Sequence, residues 1–421
     1  MTILLRLPTL AIMQKPTASS FILMVLSLIL LSLALWSLPM GARLDDGKML
    51  QKGAVLAVYG VGLLVFALFA RLRPRRIMVV GMVVVLAGGE AFTRLTAEPA
   101  EDPDFRQGVP YLMFAGQPNG EIESLNISLS ELGYRDEVPM PKPVNEYRII
   151  MLGGSALFQG TPRVSSIVGS LEFSFSRQGY TNIRVYNWGV YSTVSGQELA
   201  TMLFRAVDFA PDMIVVYDGS NDLTEPYFFD PRPGYPFDYM ASEGGRRIIE
   251  GEFGLFDLYA VLLRPTRLGY TLFQFEIEEQ ITRRSRLQDE INAGSDSWRE
   301  AIVMEYAANL AKMCRVARAF DVEFVALLQP MIFFKDTLIG KESALLGPKE
   351  YQDHTRAMYE LAREEYQVLA EQFPECAFRD VSRLLAPDDQ ELFMDPVHLT
   401  NEGYALVGRR LADILIPLLE P

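Results

Sequence analysis

The chain of 421 residues is long enough for one large or two ordinary domains, and its 49% hydrophobic content points to apolar segments that meet lipid in addition to a buried core. A formal charge of -14 argues against nucleic acid and against an anionic membrane surface as partners of the soluble part. With two cysteines (Cys314, Cys376), two histidines (His354, His398) and neither CxxC nor HExxH spacing, the sequence offers no dedicated zinc site and calls for no cofactor.

Phe21 to Leu38 is interrupted only by serines and approaches the roughly 20 apolar residues that cross a bilayer. Gly53 to Ala70 is a second uncharged run. Arg71, Arg73, Arg75 and Arg76 then crowd a short connector before a third run from Ile77, extended through Glu90 to Phe92. Basic connectors stay cytoplasmic, so the expected anchor has three transmembrane helices (about 21–38, 53–70 and 77–92) with the N-terminus inside. Everything beyond about Leu95 then lies outside the cytoplasm, on a membrane crossed several times.

Residues 96–146 shift to Pro, Gly, Asp and Glu and read as a linker or covering arm, ending in Pro139-Met140-Pro141-Lys142-Pro143. The sequon Asn126-Ile127-Ser128 carries no weight without a eukaryotic secretory context. From Tyr147 onward strands and helices alternate, the pattern of a parallel sheet with helices on both faces. The expected strands are Arg148 to Leu152, Ile183 to Tyr186, Met213 to Tyr217, Glu323 to Leu328 and Ala377 to Val381. The expected helices are Ser165 to Gln178, Ser195 to Phe209, Ser297 to Phe320, Tyr351 to Phe373 and Asn401 to about Leu415. The organisation read from this is an anchor over 1–95, an arm over 96–146 and a catalytic domain over 147–421. Long insertions interrupt that domain near 223–296 and 331–349. An apolar helix candidate around Leu255 to Phe275 can rim a pocket or lie against the bilayer.

Four stretches fall at expected strand ends. Gly153-Gly154-Ser155 presents a hydroxyl after the first strand, and Gly189 in Asn187-Trp188-Gly189 offers an unobstructed backbone N–H after the second. Asn221 in Gly219-Ser220-Asn221-Asp222 can direct an amide across the strand ends. Asp395 and His398 in Asp395-Pro396-Val397-His398 set a carboxylate three residues before an imidazole, so it can orient the ring and stabilise its cation. Each has a bland counterpart as a helix cap or turn. His354, in a charged helical stretch, reads as a solvated surface residue. The cysteines read as buried unreactive thiols, with a disulfide the alternative for an extracytoplasmic domain. Gln329, Pro330 and the aromatics near Tyr227 are placed at a pocket rim.

The ordered set of Ser, Gly, Asn and Asp-x-x-His resembles the SGNH (GDSL-type) hydrolase family from Tyr147 to the terminal helix. The resemblance implies a flavodoxin-like three-layer α/β/α fold. It also implies Ser155 as nucleophile, His398 as general base and Asp395 as the residue fixing the imidazole tautomer. The Ser155 and Gly189 N–H groups and the Asn221 amide would form the oxyanion hole. The sequence departs from the family pattern at Gly154, where an aspartate is usual, and lacks the hydroxyl residue often found in Ala156-Leu157-Phe158-Gln159-Gly160. The activity implied is ester hydrolysis through an acyl-serine, on acylated extracytoplasmic glycans or lipids. Two alternatives are O-acyl transfer to a cell-surface polysaccharide with a membrane acyltransferase partner, and a non-catalytic membrane assembly protein on the same fold.

Overall fold

The structure, a computed structural model, describes residues 76–96 and 106–419, with 27–28, 31–32, 56–57 and 60–61. It divides into two units. One takes in the described part of Met1–Ala100 together with Arg246–Ile281, and the other comprises Glu101–Gly245 and Thr282–Pro421. The expected spans at 21–38 and 53–70 lie almost wholly outside the described residues. The third falls on a helix, α1 (Arg76–Thr96), whose last turns carry Glu90 and Arg94 in an ion pair of 2.7 Å. Among the described residues no helix is long and apolar enough to cross a membrane, so the expected anchor finds no support there.

The stretch expected as a linker or covering arm forms two small antiparallel hairpins, β1 (Arg106–Val109) with β2 (Met113–Gly116) and β3 (Glu121–Ile122) with β4 (Ile127–Ser128). The residues after the second hairpin are packed, not free. Tyr134 is fully buried with its ring stacked 4.2 Å from that of Trp188. Asp136 accepts from the Asn187 N–H at 2.9 Å, and Arg135 donates to the carbonyls of Phe158 and Gly160. Arg135 and Asp136 thus tie the arm directly to the chain segments around Phe158 and Asn187.

A five-stranded parallel sheet organises the second unit. β5 (Tyr147–Gly153) leads through α2 (Ser155–Phe158) and α3 (Ile167–Arg177) to β6 (Ile183–Gly189), then through α4 (Ser195–Phe204) to β7 (Met213–Asp218) and α5 (Ser220–Phe228). The long insertion comes next as α6 (Tyr239–Ile249), α7 (Leu255–Leu263), α8 (Arg267–Thr282) and α9 (Arg284–Glu290). The chain returns through α10 (Asp296–Ala319), β8 (Glu323–Leu328), α11 (Lys349–Gln372), β9 (Ala377–Asp380) and α12 (Asn401–Leu419). The strand order is β6-β5-β7-β8-β9, the 2-1-3-4-5 order of flavodoxin-like folds. Right-handed crossovers place α3 and α12 on one face and α4, α10 and α11 on the other.

Runs such as Ile149-Ile150-Met151-Leu152 and Met213-Ile214-Val215-Val216 form strands because branched side chains suit a pleated surface, and both faces are covered, so every one is buried. On the first face α3 and α12 approach backbone to backbone: a Cβ on Gly408 would lie 2.4 Å from the Ile167 carbonyl oxygen. Glycine is what permits that crossing. On the other side Cys314 of α10 and Cys376, just before β9, form a disulfide, so the free-thiol expectation is corrected. Both sit on the covered side of elements that pack together, which brings the sulfurs within bonding reach from 62 residues apart.

Candidate active site

Parallel strands of this order reverse direction of winding between β5 and β7, and the crevice outside their carboxyl ends is where open α/β sheets hold ligands. Ser155 follows β5 there, as the first residue of α2. Its Oγ lies 2.7 Å from His398 Nε2, and His398 Nδ1 lies 2.6 Å from Asp395 Oδ2. The other carboxylate oxygen, Asp395 Oδ1, accepts from the N–H groups of Val397 at 2.8 Å and His398 at 2.7 Å. Two further contacts shape this turn: Met394 N donates to the His398 carbonyl at 2.8 Å, and Phe393 bridges Leu399. Burial pushes the Asp395 carboxyl up, but the His398 ring and the two N–H donors outweigh it, so its pKa lies below the ordinary aspartate value. An ionised carboxylate on Nδ1 leaves Nε2 to accept the serine proton.

The donors expected around the serine fare differently. Asn221, at the start of α5, spends one amide N–H on the Thr193 carbonyl at 2.7 Å. That contact also explains the glycine in place of the usual aspartate, because a Cβ on Gly154 would sit 2.6 Å from Asn221 Nδ2. The expectation for Gly189 is corrected: its N–H donates to Asn187 Oδ1 at 3.0 Å, since the asparagine two residues earlier turns its side chain back along the strand end. Three residues on, Ser192 holds the left-handed conformation (φ 57°), and its N–H has no acceptor among the described residues. Its neighbour Thr193 donates through Oγ1 to the Gly153 carbonyl at 3.2 Å, so this turn packs against the residue two before the nucleophile. A serine at positive φ leaves no composition signal, and sequence alone favours the nearer glycine.

No protein-family model matches the chain, and no curated protein does. Solved structures that it is similar to include a GDSL-like lipase and acetylxylan esterases. A GDSL-like lipase from Bacteroides thetaiotaomicron is 12% identical, with 67% of this chain and 93% of that one covered at a TM-score of 0.35. An acetylxylan esterase from Geobacillus stearothermophilus is 14% identical over 63% of this chain and 93% of its own, at a TM-score of 0.36. Another acetylxylan esterase is 12% identical over 65% and 99%, at 0.34.

Beneath these blocks lies a group of carboxyls of which only Asp222 belongs to a sequence block. Glu198 of α4, Asp218 at the end of β7 and Asp222 of α5 are all buried. Asp222 accepts from the Ser195 N–H at 2.8 Å and the Ser195 hydroxyl at 2.5 Å, and Asn309 Nδ2 donates to that hydroxyl at 3.1 Å. Burial and mutual repulsion raise Glu198 and Asp222 well above their ordinary values, and burial raises Asp218. Glu198 and Asp218 face each other, with the Thr193 hydroxyl beside Glu198 and the Gly219 N–H beside Asp218, so a proton held on Glu198 turns two facing acceptors into a donor and an acceptor. The cluster anchors the turn that carries Asn221 to α4 and α10. Only the repeated acid in Asp218-Gly219-Ser220-Asn221-Asp222 hints at it.

Other expectations for the surroundings divide. Gln329 and Pro330 are buried at the sheet end. Tyr227 and Phe228, at the end of α5, line a cavity of about 700 Å³ with Arg284, Trp298, Arg299 and His354. His354 is not a solvated surface residue. It lies on the apolar stripe of α11 formed by Tyr351, Thr355, Met358, Tyr359 and Ala362, and its charged sequence neighbours face away. Its ring centroid is 4.9 Å from that of Tyr227 and 5.6 Å from that of Trp298, and Nε2 lies 3.3 Å from the Leu223 carbonyl.

Burial lowers the pKa of His354 to about 4. In the unfolded chain the ordinary value near 6.5 applies, so between these limits the unfolded state binds a proton that the folded state does not. The stabilisation, on the order of 3 kcal/mol, is complete above about pH 6.5 and is lost as pH falls toward 4. Urea unfolding at pH 7 and pH 5 is expected to show this slope, and His354→Phe, which keeps an aromatic ring between Tyr227 and Trp298, is expected to flatten it.

Proposed function

We propose that the chain is a serine ester hydrolase that forms an acyl-serine intermediate on Ser155. The observation that carries this is the unbroken hydrogen-bonded series from Ser155 Oγ through His398 to Asp395 at the sheet's switch point. His398 Nε2 takes the Ser155 proton as Oγ attacks the acyl carbon, and Asp395 holds the ring and stabilises its cation. The imidazolium then gives the proton to the leaving alcohol. Water attacks the acyl-serine in the second half, with His398 again as base, and the acid departs. The negative charge on the carbonyl oxygen is met by the Ser155 N–H, the remaining Asn221 amide N–H and the Ser192 N–H. Donors of this kind are commonly worth about 3 kcal/mol each in the transition state.

The substrates proposed are acyl esters on extracytoplasmic glycans or lipids, and the localisation proposed is a bacterial inner membrane with the catalytic unit outside. The Cys314–Cys376 disulfide supports an oxidising compartment, and the arginines between Arg71 and Arg76 support that topology.

A fluorophosphonate probe tests the chemistry directly. It is expected to add one phosphonyl group to the peptide that contains Ser155, and prior labelling is expected to abolish hydrolysis of a short-chain nitrophenyl ester. Folded protein that takes up no probe, or takes it up on another serine, refutes the assignment.

A further inference from the structure

Helix α7 carries its bulk on the wrong side for a helix in water. Its buried positions are Asp257 and the small Ala260, packed with Ile277 and Ile281 of α8, while Leu255 is 84%, Phe256 71% and Leu262 63% exposed. Leu258 and Val261 are exposed as well, so apolar side chains cover nearly the whole outer surface of α7. A helix apolar on all sides belongs in a protein core or against lipid. On α8, which is kinked at Phe273, Phe273 and Phe275 continue the same character, with Phe275 71% exposed.

The unit to which this face belongs indicates its cover. Although α7 and α8 lie in the middle of the chain, they group with the N-terminal part and not with the sheet. The first turn of α8 is fastened to α1: Glu90 accepts from the Arg267 N–H at 3.0 Å and the Leu268 N–H at 2.9 Å, and Leu268 packs with Val85 and Phe92. Glu90 is therefore in place as a cap for a second helix, which accounts for a carboxylate within the third apolar run. The same unit includes the described residues 27–28, 31–32, 56–57 and 60–61, which fall in the uncharged runs Phe21 to Leu38 and Gly53 to Ala70 of the sequence. Arg264, exposed at the turn between α7 and α8, is of the sign that anionic headgroups attract, and the exposed acidic residues Glu250, Glu252 and Glu276 flank the apolar stretch without interrupting it.

We propose that the outer face of α7, with Phe273 and Phe275 of α8, lies in the interfacial layer of a lipid bilayer, as a monotopic helical element of the anchor unit. Membrane anchorage is the reading on which this rests.

The native cysteines are both in the disulfide, so single engineered cysteines in the full chain can carry nitroxide labels at Phe256→Cys, Leu262→Cys and Glu276→Cys. The protein is reconstituted in phosphatidylcholine–phosphatidylglycerol vesicles, floated, and probed by collision with oxygen and with a water-soluble nickel chelate. At Phe256→Cys and Leu262→Cys, contact with oxygen is expected to exceed contact with nickel severalfold, and at Glu276→Cys the order is expected to reverse. Vesicles that float with protein but show nickel dominance at Phe256→Cys and Leu262→Cys overturn the interfacial helix and leave anchorage standing. Protein that fails to float overturns both. Spin–spin broadening at Phe256→Cys overturns the lipid assignment in favour of a second copy of the chain.

Discussion

Ser155→Ala is expected to lower turnover of an acyl ester by roughly 10⁴-fold or more, with urea unfolding unchanged, because the substitution removes the attacking oxygen and little packing. His398→Ala is expected to cost about as much. The double variant should be scarcely worse than either, because Oγ and Nε2, 2.7 Å apart, act as one unit and the second loss removes nothing that still functions. Asp395→Asn isolates the third member: it keeps the shape of the turn but offers Nδ1 a donor instead of an acceptor, and a fall on the order of 10⁴ in kcat is expected. Ordinary turnover by any of the single variants, or multiplication of the two single losses in the double variant, contradicts the assigned roles.

Glu342→Ala is expected to cost about 3–5 kcal/mol of stability, measured by urea unfolding, and to lower kcat at temperatures where the protein remains folded. Glu342 and Lys335 are 0% and 1% exposed and 2.6 Å apart. The second oxygen of Glu342 accepts from Leu392 at 2.9 Å and from Phe393 at 3.2 Å, immediately before the turn that holds Asp395 and His398. One carboxylate thus joins the Met331–Lys349 insertion to the catalytic loop. Removing it strands a buried ammonium and frees the N–H groups of Ile339, Leu392 and Phe393. Burial would raise the Glu342 pKa, but the Ile339 N–H, the Lys335 ammonium and the Leu392 N–H outweigh it and hold it below the ordinary value. Its contribution is therefore present above the pKa near 4.3 of an unfolded-chain glutamate and disappears as pH falls through the lower folded value. The pair Lys335→Met and Glu342→Leu separates the two costs. It is expected to recover most of the loss from the stranded charge, but not the fall in kcat that comes from freeing Leu392 and Phe393.

The sheet was legible in the sequence because parallel strands covered on both faces leave continuous apolar runs, and the helices between them have a clear 3.6-residue period. The Ser155, Asn221, Asp395 and His398 blocks stood out in the sequence because the chemistry proposed for them needs a particular residue type at each place. The features that stayed hidden depend on contacts distant in the chain or on backbone conformation. Gly189 looks like a free donor until the Asn187 side chain turns back onto it. His354 looks solvated because its sequence neighbours are charged, although its position relative to Tyr351 and Met358 puts it on the buried stripe. The cysteine pairing depends on how α10 packs beside the entry to β9, a distance that spacing along the chain does not encode. The grouping of α7 and α8 with α1 rests on a glutamate reaching a helix start 177 residues away.

The disulfide also decides what a single cut in the backbone can do. Between its two cysteines lies the exposed stretch that includes Asp336, Thr337, Gly340, Lys341 and Ser343, the kind of surface a protease reaches first. A nick there divides the chain into one fragment bearing Ser155 and another bearing Asp395 and His398. Sulfur keeps the two together, so a clipped molecule remains one covalent particle until it meets a reductant, and only then can nucleophile and base part company.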